Sequence, residues 1–323
     1  MTVRAERQSF ALAQPFRISR GVRTHAEVVI ATVTDGRHVG RGECTPYARY
    51  GETVEGVLAA IETWDGTDRG ALQAIPAGAA RNALDCALWD LEAKRAGRRA
   101  WTLAGLPEPR PVATVMTISL DDPAAMAAAT ARAVDGGRSL LKVKLGAGDG
   151  GDGERMAAVR GAAPAATLVC DANEGWKADE LDEYLAAARE ACIDMVEQPL
   201  PAGEDETLRG IGAGVLLGAD ESLHTRDDLE TVRGIYDVVN VKLDKAGGLT
   251  EALALATDAR AMGLQLMVGC MMATSLAMAP AVLVAQRARF VDLDGPLWMT
   301  EDRSPGLEYE GETVAPPEPA LWG

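Results

Sequence analysis

The feature that most constrains the fold is a series of short apolar runs in residues 112–294, most of them separated by helical stretches. The eight runs are VATVMTI, LLKVKL, TLVCDAN, IDMVEQP, VLLGADES, VVNVKLD, LQLMVGC and FVDLD. The intervening stretches include ADELDEYLAAAREAC and LTEALALATDARAMG, which have helical periodicity. Repeated strand–helix units favour a parallel sheet, and eight of them favour a barrel. An open doubly wound sheet is the main rival, but its glycine-rich phosphate loop after the first strand is missing.

The residues before this series predict a smaller domain in which strands precede helices. The segments HAEVVIATVTDG and HVGRGE alternate between apolar and polar residues, which predicts a β-hairpin closed by Asp35–Gly36. Residues 79–97 predict an amphipathic helix that ends at Gly97 after a basic last turn. A proline-rich stretch at residues 106–111 marks the boundary to the barrel.

These patterns divide the chain into three parts. We expect an α+β domain at residues 1–110, a TIM-like barrel with the active site at residues 111–302, and a C-terminal segment at residues 303–323. The C-terminal segment is irregular in pattern and is expected to return to the N-terminal part. The predicted fold class is therefore α/β, a modified (β/α)8-type barrel beside a smaller α+β domain.

The charge of the chain excludes several classes of partner. The sequence has 32 basic and 48 acidic residues, a formal net charge of −16. Nucleic acids and anionic membranes select cationic surfaces, so neither is an expected partner. The chain has only three histidines, His25, His38 and His224. An acid–base or metal site must therefore be built mainly from carboxylates, lysines or hydroxyls.

The cysteines and the apolar segments indicate a cytoplasmic protein without a membrane anchor. The five cysteines are widely spaced and form no Cys-x-x-Cys pair, which fits a reduced compartment. The N-terminus shows no apolar core of a secretion signal. Residues 261–286 lack charge over a length that could span a bilayer, but Gly269 and Pro280 interrupt them. A buried strand followed by a core-facing helix explains this segment better.

Polar and ionisable residues cluster where the apolar runs of the barrel end. In a parallel barrel these ends lie on one face, the face that carries active sites. Residues two apart share a side of a strand, so pairs with this spacing can point inward together. The residues concerned are Thr117, Lys142, Lys144, Asp171, Asn173, Glu197, Asp220, Glu221, Asn240, Lys242, Asp292 and Asp294.

Three single carboxylates on successive strands, Asp171, Glu197 and Asp220, predict a site for a hard divalent cation such as Mg²⁺. The alternative is that these acids cap helices or pair with nearby lysines. Burial and a metal's charge would both lower the pKa of a lysine, which makes it a base near neutral pH. Lys144 and Lys242 would stand across the barrel, one on each face of a planar enolate that the metal stabilises. That arrangement predicts racemisation or epimerisation.

At these residues the sequence resembles the enolase superfamily, in which lysine bases act beside Mg²⁺. The motifs KVKLG, DAN, EQP, DES and NVKLDKAGG resemble the muconate-lactonising subgroup. The similarity covers nearly the whole chain, including GECTPY and the ARNALDCALWDLEAKRAG helix. The motif DLDGP at Asp292–Pro296 resembles the dipeptide epimerases, especially the L-Ala-D/L-Glu type. The resemblance implies a (β/α)7β barrel beneath an N-terminal capping domain whose loops choose the substrate.

The resemblance also implies the roles of the metal ligands and the bases. Asp171, Glu197 and Asp220 resemble the ligands of one Mg²⁺ per active site. Lys144 resembles the base for one enantiomer of the substrate, and Lys242 the base for the other.

A further set of residues matches substrate-contacting positions of the family. Lys142 helps to neutralise the enolate or contacts the substrate, and Thr117 and the backbone near Met272 contact the substrate. Asp292 and Asp294 match the aspartates that hold the substrate's terminal ammonium group.

Some residues keep two interpretations. Lys245 competes with Lys242 as the sixth-strand base, but its spacing is wrong for the strand, and the family pattern uses Lys242. Arg20 could bind a side-chain carboxylate of the substrate, because arginine binds carboxylates bidentately, or could be an exposed surface arginine. Tyr47 and Tyr50 line the same cleft or pack beside it.

Three functions are compatible with these residues. The first is a Mg²⁺-dependent dipeptide epimerase, an isomerase that inverts the C-terminal residue of a small dipeptide of the L-Ala-D/L-Glu type. The second keeps the chemistry but changes the substrate: an N-acylamino-acid racemase, an o-succinylbenzoate synthase or a cycloisomerase. Asp292 and Asp294 discriminate, since such substrates have no ammonium group. The third is a non-catalytic barrel that binds a ligand, which predicts a lost lysine or carboxylate. Assembly into a homo-oligomer is left open.

Overall fold

An antiparallel sheet and four helices form the N-terminal part of the computed structural model, which describes residues 1–323. The strands are β1 (Thr2–Ile18), β2 (Gly21–Thr34) and β3 (Val39–Cys44), and they pair in that order. The helices are α1 (Val54–Glu62), α2 (Arg69–Leu72), α3 (Ala79–Ala96) and α4 (Ala100–Leu103). A 3₁₀ helix at Ala48–Tyr50 follows β3.

The predicted hairpin and the predicted helix of this part are confirmed. Asp35 closes the hairpin because its Oδ1 accepts hydrogen bonds from the backbone N–H groups of Arg37 and His38, at 2.9 and 2.7 Å. Helix α3 ends at Gly97, whose φ of 59° is left-handed, a conformation that glycine adopts without strain. Helix α3 and strand β3 approach so closely that a Cβ at Gly40 would lie 2.1 Å from the Ala87 carbonyl oxygen. Together the sheet and the helices enclose a small apolar core.

A curled sheet of eight parallel strands forms the second part, after a short strand β4 (Val112–Ala113). The strands are β5 (Met116–Ile118), β6 (Leu140–Lys144), β7 (Thr167–Asp171), β8 (Met195–Glu197), β9 (Leu216–Ala219), β10 (Val238–Lys242), β11 (Gln265–Gly269) and β12 (Phe290–Val291). All eight predicted strands are confirmed, and each pairs with its neighbour in chain order. The first and last strands also come together, because the Val115 N–H donates to the Val291 carbonyl at 2.8 Å. The doubly wound alternative is therefore wrong.

Seven helices connect or follow these strands. They are α5 (Pro123–Asp135), α6 (Asp152–Ala162), α7 (Leu181–Glu190), α8 (Leu229–Val232), α9 (Leu243–Ala246), α10 (Leu249–Ala261) and α11 (Ser275–Ala285). Between β8 and β9 there is only a 3₁₀ helix at Asp205–Leu208. Strand β12 is followed by a 3₁₀ helix at Gly295–Trp298 and not by an α-helix. This last feature matches a (β/α)7β barrel.

The uncharged segment at residues 261–286 is split between two elements. Strand β11 and helix α11 account for most of it, as predicted, and helix α11 is almost entirely buried. No helix of the protein has both the length and the apolar character needed to cross a membrane. Packing in the core explains the apolar composition of residues 261–286.

The C-terminal residues lie against both other parts of the protein. Two short strands, β13 (Tyr309–Glu310) and β14 (Thr313–Val314), form an antiparallel sheet with β4. Arg303 Nη2 lies 2.6 Å from Glu43 Oε2. The Trp322 indole N–H donates to the Cys86 carbonyl of helix α3 at 3.0 Å. The last residues thus hold the N-terminal helix and strand in place.

A small apolar cluster lies inside the barrel, next to the polar residues at the carboxyl ends of the strands. The cluster is formed by Val169, Met195, Val238, Met267 and Phe290. Two of these, Val169 and Val238, lie two residues before Asp171 and Asn240, on the same side of their strands. Inside the barrel, this apolar cluster is therefore followed directly by a layer of polar side chains at the carboxyl ends of the strands.

Candidate active site

Strand register brings the predicted polar residues into one layer. In the parallel pairing, Lys144 is level with Asp171, and Asp171 is level with Glu197. Above this layer lies a cavity of about 460 Å³ between the barrel and the N-terminal part. Nine predicted site residues line it: Arg20, Thr117, Lys142, Lys144, Asp220, Lys242, Met272, Asp292 and Asp294. Asp171 and Glu197 do not line the cavity; they are fully buried and contact its lysines.

Lys142 is the centre of a buried ionic network. Its Nζ lies 3.1 Å from Asp171 Oδ2, 2.7 Å from Glu197 Oε2 and 2.8 Å from Asp292 Oδ2. The neighbouring Lys144 Nζ donates to the same Asp171 oxygen at 2.6 Å. Asp171 and Glu197 therefore do pair with nearby lysines, as the alternative to a metal site expected.

The carboxylate of Asp220 is shared by two lysines on the opposite side of the barrel. Lys242 Nζ lies 2.5 Å from Asp220 Oδ2, and Lys245 Nζ lies 2.6 Å from Asp220 Oδ1. Lys245 also donates to the Asp220 carbonyl and to the Asn240 carbonyl. These contacts occupy all three protons of the Lys245 ammonium, and its side chain does not line the cavity. Lys242 does line the cavity, which favours Lys242 as the group that reaches a substrate.

The pKa values of this network are set by burial and by close charges of opposite sign. Burial lowers the pKa of Lys242, as expected from the sequence, but attraction by Asp220 outweighs it and the net direction is upward. The same balance raises the pKa of Lys142, chiefly through Asp292 and Glu197. Burial and repulsion by Asp171 raise the pKa of Glu197 to about 7. The expected lowering of a lysine pKa combined burial with a metal's charge; among the groups of the protein itself, burial acts in that direction on Lys242 and the attraction by Asp220 opposes it.

The site retains oxygen atoms that suit a hard cation. Buried oxygens without a hydrogen-bond donor occur at Asn173, Glu197, Glu221 and Asn240, which lie within or just after strands β7 to β10. The contact between Glu197 Oε2 and Lys142 is an ion pair without hydrogen-bond alignment. Carboxylate and amide oxygens are the ligands that Mg²⁺ and Ca²⁺ prefer. This donor set fits a divalent cation.

Glu197 is oriented by its neighbour on strand β10. The Asn240 side-chain N–H donates to Glu197 Oε1 at 2.6 Å. The space for Asn240 depends on Gly269, because a Cβ there would lie 2.7 Å from Asn240 Oδ1. Glycine at this position therefore keeps one acid oriented.

The two aspartates of DLDGP lie at one end of the cavity beside a cysteine. Ligand atoms of Cys270, Asp292 and Asp294 lie within 4.8 Å of one another, whereas Asp171, Glu197 and Asp220 form no such tight group. Asp294 Oδ2 accepts hydrogen bonds from the Thr117 backbone N–H at 2.8 Å and from the Trp298 indole at 3.2 Å. Burial and repulsion by Asp292 raise the pKa of Asp294 to about 6. Two carboxyl groups this close favour the binding of a cation between them.

Arg20 lies in the cavity wall, where it joins the N-terminal hairpin to the barrel. Its Nη2 lies 2.7 Å from Glu221 Oε1, and its Nη1 lies 3.2 Å from Glu174 Oε2. The same guanidinium donates to the Tyr47 hydroxyl at 3.1 Å. Arg49 binds Glu174 through two further hydrogen bonds of 2.8 and 2.7 Å. Arg20 is thus not a solvated surface arginine; it is part of an ionic bridge between the two parts of the chain.

Arg23 is a cavity residue that the sequence analysis missed. Of the six cationic side chains that line the cavity, Arg23 alone has no carboxylate within 4.0 Å. Its guanidinium lies 5.2 Å from the centre of the Tyr47 ring, a cation–π contact. A possible signal was the run of arginines RISRGVR, but strand alternation could not identify Arg23, because the β1–β2 register shifts between Ala11 and Phe16.

The backbone just after strands β7 and β8 is strained. Asn173, Glu174 and Gln198 have φ values of 45°, 65° and 36°, a region that side chains other than glycine rarely adopt. Gln198 accepts hydrogen bonds from the backbone N–H groups of Asp220 and Ser222, at 2.9 and 3.2 Å. Glu174 is the acceptor for Arg20 and Arg49. The side chains of Glu174 and Gln198 thus make hydrogen bonds that glycine could not make.

Sequence profiles of known families match almost the whole chain. Residues 1–105 match the mandelate racemase / muconate lactonizing enzyme N-terminal domain, and residues 125–320 match the enolase C-terminal domain-like family. The chain belongs to the enolase superfamily. The expected family is thereby confirmed, together with the expected combination of a capping domain and a barrel.

Characterised relatives within the superfamily are enzymes that act on amino-acid derivatives. The L-Ala-D/L-Glu epimerase of Escherichia coli is 45% identical, over 95% of this chain and 97% of the relative. The N-acetyl-D-glutamate racemase of a Pseudoalteromonas species is 41% identical, over 92% of this chain and 95% of the relative.

Solved structures similar to this chain include a dipeptide epimerase and a homologue of such enzymes. An enolase family member from Agrobacterium tumefaciens, described as homologous to dipeptide epimerases and holding sodium and L-Ala-L-Glu, is 54% identical and superposes with a TM-score of 0.95, covering 99% of both chains. A dipeptide epimerase from Enterococcus faecalis, in complex with Mg and L-Leu-L-Tyr, is 27% identical with a TM-score of 0.90, covering 98% of this chain and 97% of the other.

Proposed function

We propose that this protein is a Mg²⁺-dependent dipeptide epimerase that inverts the α-carbon of the C-terminal residue of a small dipeptide of the L-Ala-D/L-Glu type. The observation that carries the proposal is the pair Lys144 and Lys242, which line one cavity from strands β6 and β10, four strands apart in the sheet. One lysine on each side of the α-carbon can remove a proton from one face and return it to the other.

The acids of strands β7, β8 and β9 are the proposed ligands of the metal. Asp171, Glu197 and Asp220 would hold Mg²⁺, which supplies positive charge to the oxygens of the reacting carboxylate. The complex of the Enterococcus faecalis relative with Mg and a dipeptide supports the choice of Mg²⁺ as the metal. The three acids contact Lys142, Lys144, Lys242 and Lys245 in this arrangement, so a cation held by these acids would compete with the lysines for carboxylate oxygens.

The remaining site residues are proposed to bind the ends of the dipeptide. Asp292 and Asp294 hold the terminal ammonium group, because their carboxyls lie together at one end of the cavity. Lys142, Thr117 and the backbone near Met272 contact the substrate between that end and the reacting carbon.

Two arginines are proposed to recognise the side-chain carboxylate of the C-terminal residue. Arg23 has no acidic partner and is free to bind a carboxylate directly. Arg20 contributes positive charge, but a substrate carboxylate at Arg20 must compete with Glu221 and Glu174.

The hairpin that carries both arginines belongs to the proposed capping domain at residues 1–110. The proposed barrel comprises residues 111–302, and the proposed returning segment comprises residues 303–323.

A second candidate, an N-acylamino-acid racemase, is favoured by the 41% identity to an N-acetyl-D-glutamate racemase. It uses the same lysines and the same metal ligands. It gives the carboxyl pair of Asp292 and Asp294 no cationic group of the substrate, and repulsion between the two carboxyls, which raises the pKa of Asp294 to about 6, then stays uncompensated at Asp294. We therefore prefer the dipeptide.

The test is hydrogen–deuterium exchange at the α-carbon in D₂O, read by mass spectrometry over a dipeptide library and N-acetyl-glutamate. We expect exchange and inversion with L-Ala-L-Glu at saturating Mg²⁺. Lys144→Met and Lys242→Met should each abolish inversion, and each should keep exchange with one isomer only. Exchange with N-acetyl-glutamate but with no dipeptide would establish the second candidate.

The compartment is proposed to be the cytoplasm. All five cysteines are free thiols, and three of them are buried. Such a set fits a compartment in which disulfides do not form.

A further inference from the structure

Tyr50 lines the active-site cavity, and its hydroxyl group has no hydrogen-bond partner in the protein. The residue ends the 3₁₀ helix Ala48–Tyr50 of the N-terminal part. Its hydroxyl oxygen is buried and makes no hydrogen bond. A buried polar group without a partner is destabilising, so folded proteins contain few of them. At the wall of a cavity, such a group indicates a hydrogen bond that a bound molecule supplies.

The ring of Tyr50 is held in position from two sides. Its centroid lies 4.5 Å from the His224 ring, at an interplanar angle of 71°. The Tyr47 ring packs against it at 5.3 Å. Edge contacts of this kind fix the orientation of an aromatic side chain. The hydroxyl is therefore presented at one place in the cavity.

Tyr50 lines the same cavity as Asp220 and Lys242, the proposed metal ligand and the proposed base. Its side chain therefore lies in the cavity that holds the proposed reacting centre. Burial and the negative charge of Asp220 raise the pKa of Tyr50 above its ordinary value, which agrees with a hydroxyl group that acts as a hydrogen-bond donor.

We propose that Tyr50 donates a hydrogen bond to an oxygen of the substrate's reacting carboxylate. This rests on the proposed function. When Lys242 takes the α-proton, the electron pair of the C–H bond moves towards that carboxylate, and its oxygens gain negative charge. A fixed donor at such an oxygen binds the transition state more strongly than the substrate. Tyr50 is then a catalytic residue contributed by the N-terminal part to the chemistry of the barrel.

The experiment compares Tyr50→Phe with the wild type in α-carbon exchange, with one acidic and one neutral substrate, L-Ala-L-Glu and L-Ala-L-Ala. We expect kcat to fall about 10- to 100-fold with both substrates, because the lost bond is to the carboxylate that they share. The Tm should not fall, since the removed oxygen has no partner in the protein.

Thr130→Val is the matched comparison. The Thr130 hydroxyl is also buried without a hydrogen-bond partner, but it lies on helix α5 and Thr130 does not line the cavity. Its removal should leave kcat for both dipeptides within about 2-fold, because no substrate reaches it.

Each outcome decides the proposal. Loss confined to L-Ala-L-Glu would overturn it, because the bond would then go to the side chain, and so would an unchanged kcat with both substrates. If Tyr50→Phe is unstable, 3-fluorotyrosine at position 50 replaces it; an unchanged kcat for this more acidic phenol would likewise overturn the proposal. A wild type that exchanges no dipeptide would remove the proposed function and the role of Tyr50 with it.

Discussion

Two regions of this protein bury carboxyl groups and stabilise them by different means. Between the N-terminal part and the barrel, the acids are bound mainly by neutral donors. Asp244 Oδ1 accepts hydrogen bonds from the Thr45 backbone N–H and the Asn82 side chain, at 3.0 and 2.9 Å. Glu43 Oε1 accepts one from the backbone N–H of Thr274 at 2.7 Å, while its Oε2 pairs with Arg303.

In the active site the acids face lysine ammonium groups, and oxygens are left without donors. Asp171 and Asp220 each contact two lysines, and Glu197 keeps one oxygen outside any hydrogen bond. Five of the eight buried polar atoms without a partner lie in this region, at Tyr50, Asn173, Glu197, Glu221 and Asn240. The interface uses its acids to join two parts of the chain, whereas the site keeps binding capacity for another molecule.

The largest expected difference between the regions is in activity. Lys242→Met removes a proposed base, so the rate of inversion should fall on the order of 10³-fold or more. Asp244→Asn at the interface lies only two residues away and should leave kcat within about 3-fold. Steady-state kinetics with L-Ala-L-Glu measure both. An equal loss of activity in the two variants would mean that Lys242 affects the rate by supporting the fold and not as a base.

The second prediction concerns pH, because burial raises the pKa of Asp244 to about 7. In the unfolded chain an aspartate titrates near ~3.9, so the folded protein holds this proton more tightly. Stability from the protonated form is complete below the unfolded pKa and is lost as the pH rises towards 7. Relative to Asp244→Asn, the wild type should lose on the order of 3–4 kcal/mol between pH 4 and pH 8. Urea unfolding of both proteins across this range checks the sign, and a constant difference would contradict it.

The third prediction separates the hydrogen bonds of Asp244 from its charge. Asp244→Ala leaves the donors of Thr45 and Asn82 buried without an acceptor and should cost about 2–4 kcal/mol of unfolding free energy. Asp244→Asn keeps the acceptor and should cost less than about 1 kcal/mol at pH 5. Chemical denaturation measures both. Equal costs would contradict the role of the Asp244 acceptor oxygen in joining the two parts.

The fourth prediction tests the aspartate pair. Asp294→Asn removes one charge from the proposed ammonium site, so KM for L-Ala-L-Glu should rise about 10- to 100-fold, as for a lost charge-assisted hydrogen bond. N-acetyl-glutamate has no ammonium group, so its exchange should change little. A parallel loss with both substrates would remove Asp294 from that role.

The smallest effect is expected at the edge of the interface. Arg49 is 39% exposed in its ion pair with Glu174, and partly exposed pairs contribute little to stability. Arg49→Gln should lower the unfolding free energy by less than about 1 kcal/mol. Denaturant unfolding at low and high salt would reveal a larger contribution.

The barrel was predictable from the sequence because periodicity and strand ends carry the information. Eight apolar runs gave eight strands, and the spacing by two in KVK and DLD placed Lys142, Lys144, Asp292 and Asp294 at one cavity. These are local rules of strand geometry. The long hairpin β1–β2 was only partly predicted, because its first strand is largely exposed and lacks regular alternation.

The partners of the charged residues were not predictable. Arg20 is separated from Glu221 by 201 positions, and Arg49 from Glu174 by 125. Such contacts depend on how two parts of the chain dock. The same holds for the pKa of Lys242, which depends on the distance to Asp220 and not on burial alone.

The left-handed residues after strands β7 and β8 have a consequence for protein engineering. At Asn173, Glu174 and Gln198 a glycine would relieve backbone strain, and a search for thermostable variants would be drawn to these positions. At Glu174 and Gln198 the change would also remove the groups that bind Arg20, Arg49 and the Asp220 backbone. The lost buried hydrogen bonds cost at least as much as the strain that glycine relieves, so a screen for heat resistance should reject glycine at these two positions. It should accept glycine at Asn173, whose side-chain oxygen has no hydrogen-bond partner in the protein.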